Sequence, residues 1–136
     1  MSSSYLRLEI VTPEGKVFSS DVSELQFPSA FKGYYGVLPG HTPVLTPLGN
    51  GLINCLLDGK KVVFTVFGGF AEVGPSHATI LARESEIADS LDKKAITDQM
   101  LEAERSLKEA KTPEDQQRIQ AAIEACKLRL QAVDQK

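Results

Sequence analysis

The sequence predicts an α+β chain, an N-terminal antiparallel β-sandwich followed by a C-terminal antiparallel two-helix hairpin. Three observations carry that expectation. Apolar residues alternate in period 2 through the first two-thirds of the chain, and from about Leu91 their period becomes helical. Turn residues are confined to the first part, for no glycine follows Gly74 and only Pro113 among the prolines lies beyond Pro75. The expected division is a sandwich over residues 1–87 and a hairpin over 88–136.

Each element has its own local signal. Leu6, Leu8 and Ile10 alternate with Tyr5, Arg7 and Glu9, which puts one apolar face on a strand. Thr12-Pro13-Glu14-Gly15 turns the chain into a strand opened by Val17-Phe18. Val22, Leu25 and Phe27 follow, and Pro28 is expected to end that run. Asp58-Gly59 between the apolar runs 51–57 and 60–67 suits a type I′ hairpin, since both residues tolerate positive φ. Gly68-Gly69 is expected to break the chain before two short strands at 70–73 and 77–81, themselves split by Gly74-Pro75-Ser76. The segment 84–89 reads as a solvated acidic linker.

Beyond the linker, Ile96, Met100, Ala103, Leu107 and Ala110 form a narrow helical seam. Thr112 is placed to cap a second helix, with Pro113 at its first position and Glu114 and Asp115 in its first turn. Its seam is Ile119, Ala122 or Ile123, Cys126, Leu130 and Val133. Each such side chain is worth about 1 to 3 kcal/mol when fully buried, so a pair of helices held this thinly needs something to dock on.

Composition excludes several functions. A net charge of −3 offers no general attraction to nucleic acid or to anionic lipid. No window approaches the ~20 apolar residues of a membrane span, and the first residues lack the pattern of a signal peptide. Cys55 and Cys126 stand in apolar or helical surroundings and are expected to be buried reduced thiols. Gly15-Lys16 and Gly59-Lys60 lack the rest of a phosphate-binding loop, and Gly68-Gly69 precedes a strand rather than a helix. His41 and His77 have no neighbours at metal-ligand spacing, and Ser76-His77 has no nucleophile-elbow context. No catalytic residue, metal or cofactor is expected. The chain is expected to work by binding partners. The loop 29–43, with Phe31, Tyr34 and Tyr35 among glycines, reads equally as a contact surface or as the closed end of the sandwich.

Val11-Thr12-Pro13, the run Gly36-Val37-Leu38-Pro39-Gly40-His41-Thr42-Pro43, Gly68-Gly69-Phe70-Ala71-Glu72-Val73 and Ile80-Leu81-Ala82 together resemble the epsilon subunit of the rotary, proton-driven ATP synthase. The resemblance runs from about residue 5 to the end and implies a non-catalytic subunit of the central stalk. Its implied partners are the gamma subunit, the c-ring and, in an extended state of the hairpin, the alpha and beta subunits, where the hairpin brakes ATP hydrolysis. By position, Thr12, His41 and Thr46 fall at the gamma contact, and Lys32, Tyr34 and Tyr35 in the c-ring loop, with Tyr34 where the family often has Glu. Lys108, Lys111, Arg118, Lys127 and Arg129 would carry the inhibitory charge.

Some family members bind ATP through a Leu-Asp-x-x-Arg motif and arginines on the second helix. Here Leu91-Asp92 is kept, but Ala95 and Ala125 stand where arginines belong, which leaves Glu86, Asp92 and Arg129. Without those guanidiniums the expectation is weak or absent ATP binding. The implied location is the cytoplasmic face of a bacterial inner membrane, reached only through the complex. A thylakoid setting stays open.

Overall fold

The computed structural model describes residues 4–31 and 33–136. Leu6–Thr12 (β1) and Gly15–Val22 (β2) form the first hairpin, and Glu24–Ser29 (β3) pairs with Gly33–Val37 (β4). Val44–Pro47 (β5) is short, Asn50–Leu57 (β6) is followed by the long Lys60–Val73 (β7), and His77–Ile87 (β8) ends the sheet region. The hydrogen-bonded order is β2-β1-β8-β7-β6-β3-β4, with β5 paired to the far end of β7. All of these pairs are antiparallel except β1 with β8. Asp58 and Gly59 take φ of 51° and 78°, the two positive values a type I′ turn requires.

The glycine pair does not break the chain as expected. β7 passes straight through Gly68-Gly69 in constant register with β8. Phe64 and Val66 face the core before the pair, and Ala71 and Val73 after it. A period of two cannot run from 66 to 71 unless the strand turns over between them. Gly69 makes that possible with φ of 115°, and a Cβ there would overlap the Leu81 carbonyl oxygen. β8 switches face in parallel, from Ala82 to Ile87. The two strands thereby serve both layers. One layer holds β4, β3, β6, the start of β7 and the end of β8; the other holds β5, the end of β7, the start of β8, β1 and β2. Leu6, Leu8, Ile10, Phe27, Ile53 and Phe64 meet in the single core between them, where Phe18 and Phe64 cross edge to face at 4.9 Å.

Two further expectations are corrected. β3 runs through Pro28 to Ser29, and β4 lies within the segment read as a loop. β8 continues to Ile87, so Glu84 and Glu86 belong to a strand instead of a linker. A short 3-10 turn over Ala88–Ser90 then leads to Lys93–Glu109 (α1) and Pro113–Gln135 (α2). Asp92 caps α1 by accepting from the Lys94 and Ala95 amides, and Thr112 caps α2 by accepting from Asp115. Ile96, Ile119, Ile123 and Cys126 are buried in the hairpin. It is α2 that meets the sandwich.

Candidate functional site

The sandwich has two outer faces, and the turn-over at Gly68-Gly69 decides which side chains each receives. Before it, Thr65 and Phe67 of β7 and Glu84 and Glu86 of β8 point toward the hairpin. Arg129 of α2 lies across them. Its Nε donates to Glu86 Oε1 at 2.7 Å, its Nη2 is 3.7 Å from Glu84 Oε2, and its guanidinium carbon sits 5.1 Å from the centre of the Phe67 ring. The buried Thr65 hydroxyl donates to the same Glu86 oxygen at 3.2 Å and accepts the Glu86 amide at 3.1 Å. One turn on, Leu128 and Ala132 close a small apolar cluster with Leu52, Val63, Ala88 and Leu91. Lys136 reaches Asp89 at 3.7 Å.

The three residues expected to remain of a nucleotide motif are thus engaged by the chain's own groups. Arg129 and Glu86 are brought together and bind each other, while the Asp92 carboxylate faces the amides of α1. Of the basic hairpin residues, Arg118 pairs with Asp115 and Lys127 with Glu124 along α2. Lys108 and Lys111 stand exposed at the hairpin tip without an ion pair among the described residues.

Beyond the turn-over, the opposite outer face is bare. Register places Pro47 of β5 beside Phe70 of β7, Phe70 beside Leu81 of β8, and Leu81 beside Val11 of β1. The result is an apolar row four strands wide, with Phe70 54 % and Leu81 52 % exposed, and with Leu45 69 % exposed two pairs along β5. Thr12 lies at the end of this row and lines a groove with Val11, Phe70 and Leu81. Its hydroxyl closes the first hairpin turn by accepting the Glu14 amide. Thr46 sits between the outward Leu45 and Pro47, but its own hydroxyl turns inward to Ser29 at 3.3 Å. His41 is on the β4–β5 connection, edge-on to Tyr35 with ring centres 5.5 Å apart. Of the three expected gamma contacts, Thr12 and Thr46 border the row, whereas His41 packs against Tyr35, and among the described residues no hydrogen bond or ring contact joins the three.

The third region is the β3–β4 turn. Lys32 lies outside the described residues. Phe31 beside it is 81 % exposed, so it closes nothing. Tyr35 does, stacking on Phe27 at 5.5 Å. Tyr34 lies over Gly51 and accepts the Leu52 amide at 3.2 Å, beyond the last β3–β6 ladder pair, Gln26 with Asn54.

Cys55 and Cys126 are buried and free, and burial pushes the Cys55 thiol from 9.0 up to about 11. Among the described residues no group of three or more His, Cys, Asp or Glu is placed to hold a metal, and no helix is long and apolar enough to cross a membrane.

Sequence reasoning missed both the apolar row and the second face of α2. The signal for the row was present in Ala71 and Val73, whose apolar alternation forces Phe70 and Glu72 outward. The signal for α2 was Leu128 and Ala132, a second i, i+4 pair off the main seam.

One outer face of the sandwich is clasped by the chain's own hairpin, and the other carries an exposed apolar row. Residues 5–88 match the family described as ATP synthase, delta/epsilon chain, beta-sandwich domain. The chain is 36 % identical over 126 residues to the ATP synthase epsilon chain of Herpetosiphon aurantiacus, covering 93 % of this chain and 92 % of that one. It is 39 % identical over 134 residues to that of Solibacter usitatus, with 96 % and 97 % covered. A chain in the Euglena gracilis mitochondrial ATP synthase shares the fold with a TM-score of 0.76 at 20 % identity, over 91 % of this chain and 78 % of that chain. The chain belongs to the epsilon-chain family of the ATP synthase.

Proposed function

We propose that this chain is a non-catalytic central-stalk subunit that couples c-ring rotation to the gamma subunit and restrains ATP hydrolysis through its C-terminal helices. The observation that carries the coupling role is the bare row Pro47–Phe70–Leu81–Val11, on the face the hairpin does not cover. Adjacent exposed apolar side chains of this kind mark a surface that a partner can cover. The gamma subunit covers it, meeting Thr12 and Thr46 at its border and His41 beside Tyr35. The β3–β4 turn, with Lys32, Tyr34 and Tyr35, meets the c-ring through aromatic packing. The bacterial relatives favour a place on the cytoplasmic face of the plasma membrane, held there only by the complex.

The restraining role rests on the division of α2. Its contact with the sandwich is a few apolar groups and one ion-pair cluster, which suits an element with two berths. Released, the hairpin presents Lys108, Lys111, Arg118, Lys127 and Arg129 to the alpha and beta subunits. Arg129 cannot serve both berths at once, since docked it is spent on Glu86. The same engagement ties up the one arginine that remains of the nucleotide motif, so ATP binding is weak or absent. Deletion of residues 90–136 in the assembled enzyme is the test. Hydrolysis should rise while assembly persists, whereas unchanged hydrolysis removes the restraint and leaves the coupling role.

A further inference from the structure

We propose that Arg83 is the charged anchor of the bare outer face and receives a carboxylate of the gamma subunit that docks there. The inference rests on the docking reading above and adds the chemistry that the partner must bring.

Arg83 stands on β8 two residues beyond Leu81, where the two strands turn over. It has no backbone bridge to its register neighbour, Gly68. Its side chain instead lies across that glycine. A Cβ at Gly68 would stand 2.6 Å from Arg83 Nε and 2.8 Å from Nη2, so the missing side chain is what makes the seat. The glycine thus leaves room for the guanidinium to lie close against β7.

The seat flanks the apolar row, two residues along β8 from Leu81. Arg83 shares with Phe70, Leu81 and Val11 a groove of about 460 Å³. It also shares a smaller hollow with Glu14, Glu84 and Glu86, yet among the described residues no carboxylate pairs with it. Glu84 and Glu86 are turned to Arg129 on the other face. Elsewhere on the bare face Glu72 lies 3.5 Å from His77 and Glu9 lies 3.6 Å from Lys16, while Glu14 has no ion pair among the described residues. Covering the row therefore places water-excluding surface against a cation that the chain leaves unmatched. Burying an unpaired guanidinium is costly, and a bidentate carboxylate is the group its fork geometry fits. Arginine at the border of an apolar patch is also where interface energy concentrates.

The test is the affinity of the purified full chain for the gamma subunit, at several salt concentrations, for the unaltered protein and for Arg83→Gln, Arg83→Lys and Arg83→Glu. Because Arg83 is exposed, thermal melts of the variants should match the parent. Arg83→Gln should weaken binding about 10- to 100-fold and flatten its salt dependence. Arg83→Lys should fall between, since it keeps the charge and loses the fork. Reversing one acidic residue of gamma to Lys should restore binding to Arg83→Glu and not to Arg83→Gln. If Arg83→Gln binds as tightly as the parent with the same salt slope, the anchor is refuted while the docking face stands. If the unaltered chain does not bind gamma at all, the docking face fails and takes the anchor with it.

Discussion

Replacing Arg129 with alanine should release the hairpin from the sandwich. The side chain is 21 % exposed and its partner Glu86 34 %, so the pair is partly shielded from water and from salt. A charge-assisted hydrogen bond in such a setting is worth about 1.5 to 3 kcal/mol, and a guanidinium over a ring adds roughly 0.5 to 2 kcal/mol. Glu86 keeps Thr65 as a donor and regains water, which offsets part of the loss. A net weakening of about 2 to 3 kcal/mol remains, or roughly 30- to 150-fold in the ratio of docked to released hairpin. What still holds α2 is the cluster of Leu128 and Ala132 on Leu52, Val63 and Ala88, and the exposed Lys136–Asp89 pair. Energy transfer between dyes at Lys61→Cys and Lys111→Cys reads the berth directly, because both native thiols are buried. Arg129→Ala should lower the transfer efficiency, and Glu86→Gln should lower it less. The double variant should fall short of the sum of the two, because the pair acts as a unit. If Arg129→Ala leaves the transfer unchanged, the apolar cluster alone holds the hairpin and the ion-pair reasoning is wrong.

Other consequences are sharper and smaller. The Cys55 thiol titrates near 9.0 when unfolded and near 11 when folded, so the folded state holds the proton longer. Stability should then be intact below pH 9 and fall through the window from 9 to 11, by about 2 to 3 kcal/mol in chemical denaturation, and Cys55→Ser should change that pH profile. Gly69→Ala should cost on the order of 3 kcal/mol or more, because the new Cβ meets the Leu81 carbonyl and φ is 115°; a melt close to that of the parent would contradict the turn-over of β7. Tyr34→Phe strands the Leu52 amide and should cost about 1 kcal/mol, with faster amide exchange at Leu52 as the specific sign. Thr112→Ala removes the cap on Asp115 and should cost about 1 kcal/mol, seen as fraying of α2 by helical circular dichroism.

Much of the fold was legible because local rules were obeyed. Leu6, Leu8 and Ile10 alternate and are wholly buried, Asp58-Gly59 makes the turn its chemistry allows, and Thr112-Pro113 starts a helix. The failures share one cause. Gly68-Gly69 carries two meanings in sequence, chain break or strand turn-over, and only long-range pairing with β8 selects the second. Once β7 is continuous, β8 must be long, and Glu84 and Glu86 become strand residues facing α2. The pairing of Glu86 with Arg129 spans 43 positions and leaves no periodic trace. The candidate site was less legible still. Pro47, Phe70, Leu81 and Val11 come from four strands, and nothing in the chain order announces that they share a row.

The most direct measurement is a titration of the purified chain against the gamma subunit, run beside Phe70→Asp and Leu81→Asp. Both positions are more than half exposed, so the folded chain tolerates the change, but the apolar row does not. A saturable one-to-one complex with the parent, lost with either aspartate, is the predicted result. A complex of unchanged affinity with both variants would mean that the gamma subunit is held somewhere other than the bare face.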